Sequence, residues 1–285
     1  MKLATFNAGG ADELGVVVGG QIVPLSRTAP RIAANMTDLI ARWAAVEDDV
    51  RGLAERGAGA LPLGDVRLRA PISRPGKIMA IGLNYADHVK ETGREMPKEQ
   101  VWFCKQPTAV NGPFDPIQIP KVSTSVDWEA EMVVVIGKGG RHIAKDAARD
   151  HVFGYCCGND VSARDWQNKT PQWILGKSFD THAPFGPWIT TADEAGDPHV
   201  LDIKCVVNGQ TRQNSNTRNL IFNVWDQLAY LSKVMTLEPG DLIFTGTSGG
   251  VGMAMKPPLF LKAGDRVRVE MEKLGAIEAV CEDEK

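Results

Sequence analysis

Residues 127–137 read DWEAEMVVVIG. As a β-strand, this segment places Asp127, Glu129, Glu131, Val133 and Val135 on one face and Trp128, Ala130, Met132, Val134 and Ile136 on the other. The second face is wholly apolar and needs a core to pack against. The first begins with three acids and ends in core residues. Glu129 and Glu131 would point the same way, roughly 7 Å apart. Two ionised carboxylates held that close and partly buried repel each other and lose hydration. Either one takes up a proton, or a cation sits between them. The competing reading is an edge strand on which both side chains reach solvent.

The rest of the chain has an ordinary globular make-up. Its 285 residues are 43% hydrophobic and 24% charged, with a net charge of -3, which suits one large domain or a small one beside a large one. The charge balance points away from nucleic acid and from anionic membrane surfaces. No apolar run approaches the ~18 residues of a membrane span, and MKLATFNAGGADELG lacks the apolar stretch of a secretory signal. Cys104, Cys156, Cys157, Cys205 and Cys281 form no CxxC pair and are odd in number. They are expected to be reduced, mostly buried thiols in a cytoplasmic protein.

LATFN, LGVVVG and QIVPL have the pattern of short strands. TDLIARWAAVEDDVRGLAERG (37–57) has the spacing of one helix, with Thr37 as its N-cap and Leu39, Trp43, Val46, Val50 and Leu53 as its buried stripe. The Gly- and Pro-rich segment that follows marks a boundary, giving a small α+β unit over residues 1–70 and a larger one over 71–285. The larger part is rich in strand patterns: KIMAIGLNY, VWFCKQ, IQIP, HVFGYCCGND, LDIKCVVNG, DLIFTGT and RVRVEME. One strong helix is expected over TRNLIFNVWDQLAYLSKVM (217–235). Strands do not alternate with long helices, so a mixed, rolled or barrel-like β architecture is expected instead of a doubly wound sheet.

HVFGYCCGND ends an apolar strand on Asp160, a third carboxylate at a strand terminus. Three oxygen donors, with no cysteine or histidine at zinc spacing, suit Mg²⁺, with Mn²⁺ or Ca²⁺ as alternatives. An octahedral site of this kind leaves positions for a bidentate substrate. In NYADHVKE, His88 and Glu91 share one face of a helix expected to start at Asn84. A carboxylate that orients imidazole activates water, although an HxxE pair is also an ordinary surface ion pair. Gly82 and Gly93 flank that segment. FTGTSGGVG places Thr247 in a glycine-rich turn, but the absence of GK[ST] excludes a P-loop. No GxSxG marks a serine nucleophile, and His142, His151, His182 and His199 are scattered.

GLNYADHVKETG, DWEAEMVVVIG, GNDVSARDWQ, LGKSFDTHAPFGPW and FTGTSGGVG, in this order over residues 75–270, resemble the signature blocks of the fumarylacetoacetate hydrolase family. The resemblance implies an α+β, mostly-β fold: a mixed β-roll or barrel-like C-terminal catalytic domain behind a small N-terminal α+β domain, assembled as a homodimer. It also implies a Mg²⁺- or Mn²⁺-dependent enzyme acting on 1,3-diketo acids. Position by position, Glu129, Glu131 and Asp160 match the family's metal ligands, and Lys177 the lysine beside the metal-bound substrate. His88 and Glu91 match the His–Glu dyad of the acylpyruvase branch. Gln167 matches a substrate-side glutamine and Arg164 an arginine behind it. Thr247 matches a substrate-binding threonine, and Lys105 a cation for a substrate carboxylate. Relatives often carry TGTPxGVG where this chain has Ser248.

The implied reaction is hydrolysis of the C3–C4 bond of a 2,4-diketo acid. Among substrates, 2,4-diketo-3-deoxy-L-rhamnonate, yielding pyruvate and L-lactate, fits the resemblance best. Isomerisation or decarboxylation of the 2-hydroxyhepta-2,4-dienedioate type, and a lyase reaction on ureidoglycolate, are alternatives that would use the same metal-bound enolate.

Overall fold

The structure is a computed structural model that describes residues 1–93 and 95–285. Its spine is a 12-stranded mixed sheet. Across the sheet the strands run Leu61–Pro62, Gln21–Pro24, Asp12–Val18, Lys2–Asn7, Ala183–Thr191, Val152–Asn159, Ala130–Ile136, Leu242–Thr247, Ile78–Gly82 and Val101–Lys105. Arg67–Leu68 joins Lys2–Asn7, and Val110–Asn111 joins Ala183–Thr191 in parallel. A five-stranded sheet carries Gln210–Asn216, Asp202–Val207, Arg266–Met271, Gly275–Asp283 and Ile117–Ile119, and a two-stranded ribbon pairs Val126–Asp127 with Ser162–Ala163. The architecture is mixed α+β with strand dominant, as expected, and among the described residues no sheet closes into a barrel.

The apolar run of the opening segment lies at the centre. Ala130–Ile136 is paired on both edges, with Val152–Asn159 and with Leu242–Thr247. Both of its faces are buried. Met132, Val134 and Ile136 pack with Ile203, Val269, Leu228 and other residues of the five-stranded sheet and the helix Val224–Val234. Val133 and Val135 pack on the opposite side with Leu39, Val46 and Val50 from the N-terminal helices. A strand sandwiched in this way reads as a continuous apolar run, and each fully buried Val or Ile contributes about 1.5–3 kcal/mol. Lys2–Asn7 pairs with Ala183–Thr191, Leu3 facing Ile189, so the strands of residues 1–70 extend the main sheet.

Several element boundaries differ from expectation. The helix expected over 37–57 is two helices, Met36–Ala41 and Trp43–Arg56, with Arg42 between them at φ -101 and ψ 4. The first is capped by Asn35, whose side chain accepts the Asp38 N–H. Thr37 is not the cap. The break turns two apolar stripes, Leu39–Ile40 and Val46–Val50–Leu53, onto the same core. The expected helix over 217–235 starts only at Val224, where the Asn223 side chain accepts the Asp226 N–H, and Leu220 lies before it. The helix carrying His88 spans Ala86–Thr92. Asn84 is outside it because its amide is tied to Phe222 and to Thr245 O.

Candidate active site

The site begins where the central strand breaks. Val126–Asp127 and Ala130–Ile136 are separate strands, and Glu129 stands in the gap between them. Side chains replace the missing ladder there: Glu129 N–H donates to Asn159 Oδ1 and Ala130 N–H to Gln213 Oε1, both at 2.9 Å. Antiparallel register places Ala130 opposite Asn159, which brings Asp160 level with Glu129, and Asp160 N–H donates to Glu129 O at 2.9 Å. Glu131 sits one pleat along, opposite Thr247, and accepts the Gly246 N–H at 2.8 Å. Carboxylate oxygens of Glu129, Glu131 and Asp160 all lie within 4.8 Å of one another. The three are buried, so neither glutamate is a solvent-reaching edge residue.

Cations partly balance this charge. Lys177 Nζ bridges Glu129 Oε2 and Asp160 Oδ2, at 2.6 Å to each. Arg164 Nη1 lies 2.7 Å from Glu129 Oε1, and Lys105 Nζ 2.5 Å from Asp160 Oδ1. Burial alone would push the Glu129 carboxyl up, but Lys177 and Arg164 outweigh it and hold Glu129 below the usual carboxylate range. Glu131 goes the other way: burial, then Asp160 and Glu129, raise it well above that range. Burial opposes the charge on Lys177 too, yet Asp160 and Glu129 raise it. With Asp127 included, four acids face three cations, and Glu131 carries the mismatch. A set of buried carboxylate oxygens with one uncompensated charge fits a hard divalent ion.

Glu129 and Glu131 open into a cavity of about 290 Å³ whose lining does not include Asp160. Glu129, Glu131, Lys177, Thr247, His88 and Glu91 all line it. Phe103 and Trp173 make an aromatic wall, their rings 5.5 Å apart in a T arrangement, with Lys177 Nζ 4.9 Å from the Phe103 ring centre. His88 Nδ1 is 3.4 Å from Glu91 Oε2, and Glu91 also accepts the Gly250 N–H. Lys177 reaches the site from the short helix Ile174–Lys177. That helix lies so close to Arg164–Gln167 that a Cβ on Gly176 would stand 2.3 Å from Gln167 N.

Arg164 and Gln167 both line the cavity, one helical turn apart, joined by a 2.9 Å hydrogen bond from Arg164 Nη1 to Gln167 Oε1. Oε1 being the acceptor there, the Gln167 NH₂ is left for a ligand. Thr247 Oγ1 donates to Ala130 O and accepts from Gln213 Nε2. Lys105 is fully buried between Asp160 and Val161 O and stands outside the cavity lining. Sequence reasoning overlooked Asn159 and Gln213, whose side chains stand in for backbone partners, and the aromatic wall. None of these carries a spacing signal, since each acts through residues distant in the chain.

The fumarylacetoacetate (FAA) hydrolase C-terminal family model matches residues 77–281. The chain is 46% identical over 261 residues to a mitochondrial oxaloacetate tautomerase of Xenopus laevis, covering 91% of this chain and 82% of the relative. Among solved structures, it superposes with TM-score 0.85 and 34% identity on maleylpyruvate hydrolase from Sphingobium sp. SYK-6 in complex with manganese(II) and pyruvate, covering both chains in full. A 2-hydroxyhepta-2,4-diene-1,7-dioate isomerase from Mycobacterium marinum superposes with TM-score 0.78 and 31% identity, covering 100% of this chain and 99% of that one. No described helix is long and apolar enough to cross a membrane.

Proposed function

The chain belongs to the fumarylacetoacetate hydrolase family, and we propose that within it the protein is a divalent-metal enzyme that interconverts the enol and keto forms of a small 2-oxo acid, oxaloacetate in the first instance. The observation that carries this reading is the buried trio Glu129, Glu131 and Asp160, whose two glutamates share with His88 a cavity sized for a small acid. The 46% identity to an oxaloacetate tautomerase supports this choice of reaction. Glu129, Glu131 and Asp160 would hold Mg²⁺ or Mn²⁺. When bound, the ion supplies Lewis acidity that lowers the cost of negative charge on the substrate's carboxylate and C2 oxygen.

The chain's own groups do the rest. Lys177, kept charged by Asp160 and Glu129, stabilises the same developing charge. Glu91 holds His88 through Nδ1, leaving Nε2 to exchange protons. His88 takes the proton from the O2 hydroxyl of the enol and returns one to C3. The electron pair on O2 closes the C2–O double bond as the C2–C3 pair forms the new C3–H bond. The Gln167 NH₂ and the Thr247 turn orient the acid, and Phe103 and Trp173 keep water from the reacting carbon. Lys105, behind Asp160, supports a metal ligand. All five cysteines are free, which suits a reducing compartment such as the cytoplasm.

A second reading is favoured by the His88–Glu91 contact and by the maleylpyruvate hydrolase likeness. Here His88 takes a proton from water, the hydroxide adds to C4 of a 2,4-diketo acid, C3–C4 breaks, and C3 takes up a proton to leave pyruvate. 2,4-Diketo-3-deoxy-L-rhamnonate is the sugar-acid substrate this reading favours. The test is direct. With Mg²⁺, the loss of the enol absorbance of oxaloacetate is followed beside pyruvate release from acylpyruvates. Faster enol loss without pyruvate supports tautomerisation, pyruvate release supports hydrolysis, and neither above the uncatalysed rate sinks both.

A further inference from the structure

Asp127 heads the acidic face of the opening segment, and none of the chemistry above uses it. Its side chain is completely buried and does not line the cavity. Its two oxygens take four donors. Trp128 N–H at 2.9 Å and Gly252 N–H at 2.7 Å meet Oδ1; Met253 N–H at 3.0 Å and Arg164 Nε at 2.8 Å meet Oδ2. Only glycine fits at 252, since a Cβ there would stand 2.0 Å from Leu259 O and 2.7 Å from Asp127 Oδ1.

The loop held in this way carries Met253 and Ala254 in the cavity wall. Two residues before Gly252, Gly250 N–H donates to both oxygens of Glu91, at 2.9 and 3.0 Å, and Gly250 O accepts the Trp128 indole N–H at 3.1 Å. On the other side, Arg164 carries the constraint to Glu129. One buried carboxylate therefore stands where the metal-site glutamate, the cavity wall and the His88 helix are tied together.

We propose that Asp127 is a positioning residue that holds the 249–254 loop, and through Gly250 and Glu91 the helix Ala86–Thr92, in register with Glu129. The kinetic consequence rests on the functional reading above; the structural link does not. An amide cannot replace this carboxylate. With its oxygen toward Gly252, the NH₂ of asparagine would face Met253 N–H and Arg164 Nε, donor against donor.

The test is amide hydrogen exchange on the full chain with Asp127→Asn, read from the other end with Glu91→Gln. Exchange in peptides covering 249–254 and 86–93 should accelerate at least about tenfold in Asp127→Asn, the scale of a lost charge-assisted hydrogen bond. The strand Val152–Asn159 should stay protected. With turnover, KM should rise more than kcat falls, a split that general destabilisation would not produce. A loosened loop beside an unchanged 86–93 peptide overturns the link, and unchanged exchange in both overturns the whole proposal. Should Asp127→Asn fail to fold, Glu91→Gln, at a partly exposed side chain, must still accelerate exchange at 249–254; unaltered exchange there sinks the link. Inactivity of the wild type on every 2-oxo acid would sink the functional reading alone, because the exchange readout needs no turnover.

Discussion

Lys105 Nζ lies 2.5 Å from Asp160 Oδ1, with both side chains closed to solvent. Burial opposes the charge on Lys105 and lowers its affinity for a proton, and the nearby Lys177 adds to this, while Asp160 works against it. Removing one member of such a pair strands the other. Lys105→Met should therefore cost about 3–5 kcal/mol of folding stability, measured by urea unfolding. A loss below about 1 kcal/mol, the range of a surface pair, would mean that Lys177 alone satisfies Asp160.

His88 is placed to transfer protons, and among the described residues its ring meets Glu91 and makes no hydrogen bond to the carboxylate trio. His88→Ala should lower kcat by about 10²–10⁴-fold while leaving Mn²⁺ binding intact. Steady-state kinetics beside a Mn²⁺ titration separates the two effects. Full turnover in the variant would remove the imidazole from the mechanism and leave the metal site untouched.

Glu131 holds its proton unusually tightly, because it is buried beside Asp160 and Glu129. A divalent ion must displace that proton. Metal binding should therefore release protons, and affinity should fall as the pH falls, by up to about tenfold per unit below the Glu131 pKa. Calorimetry of Mg²⁺ binding in two buffers with different ionisation heats reads this release. Identical heats in both buffers would show that Glu131 is already ionised. Exhaustive chelation should abolish turnover, and Mg²⁺ or Mn²⁺ should restore it.

His182 is fully buried, with Nε2 at 2.9 Å from Gln118 O, and burial first, then Lys105, lowers its pKa from 6.5 to about 3. The unfolded chain binds a proton here that the folded chain refuses. The folded state thus has its full advantage above pH 6.5 and loses it as the pH drops from 6.5 toward 3. The slope should be about 1.4 kcal/mol per pH unit. Unfolding free energies between pH 6 and pH 4 should show that component in the wild type and lack it in His182→Gln.

Much of this was legible locally. Period two placed Glu129 and Glu131 on one face, and the apolar run after them marked a strand with both faces buried. The strand Ala183–Thr191 was not legible, although it joins the N-terminal strands to the rest of the sheet. Pro184, Gly186 and Pro187 read as punctuation, and the ladder tolerates them through a register shift opposite Tyr155–Cys157. The late helix start at Val224 was missed because Asn223 outcompetes the helical pattern as a cap, and the break at Arg42 because no breaker residue or side-chain cap marks it.

The sequence by itself determined which residues carry charge, which strands are apolar, and that two glutamates share a face, because strand periodicity and residue chemistry act over a few residues. Only the tertiary structure decided that Asp160 comes level with Glu129, that Lys177 bridges the two, and that Lys105 and Asp127 sit behind the site. Those placements come from strand register and from contacts between segments far apart in the chain. No local pattern encodes them, since the partner that balances a buried charge is set by packing and not by sequence distance.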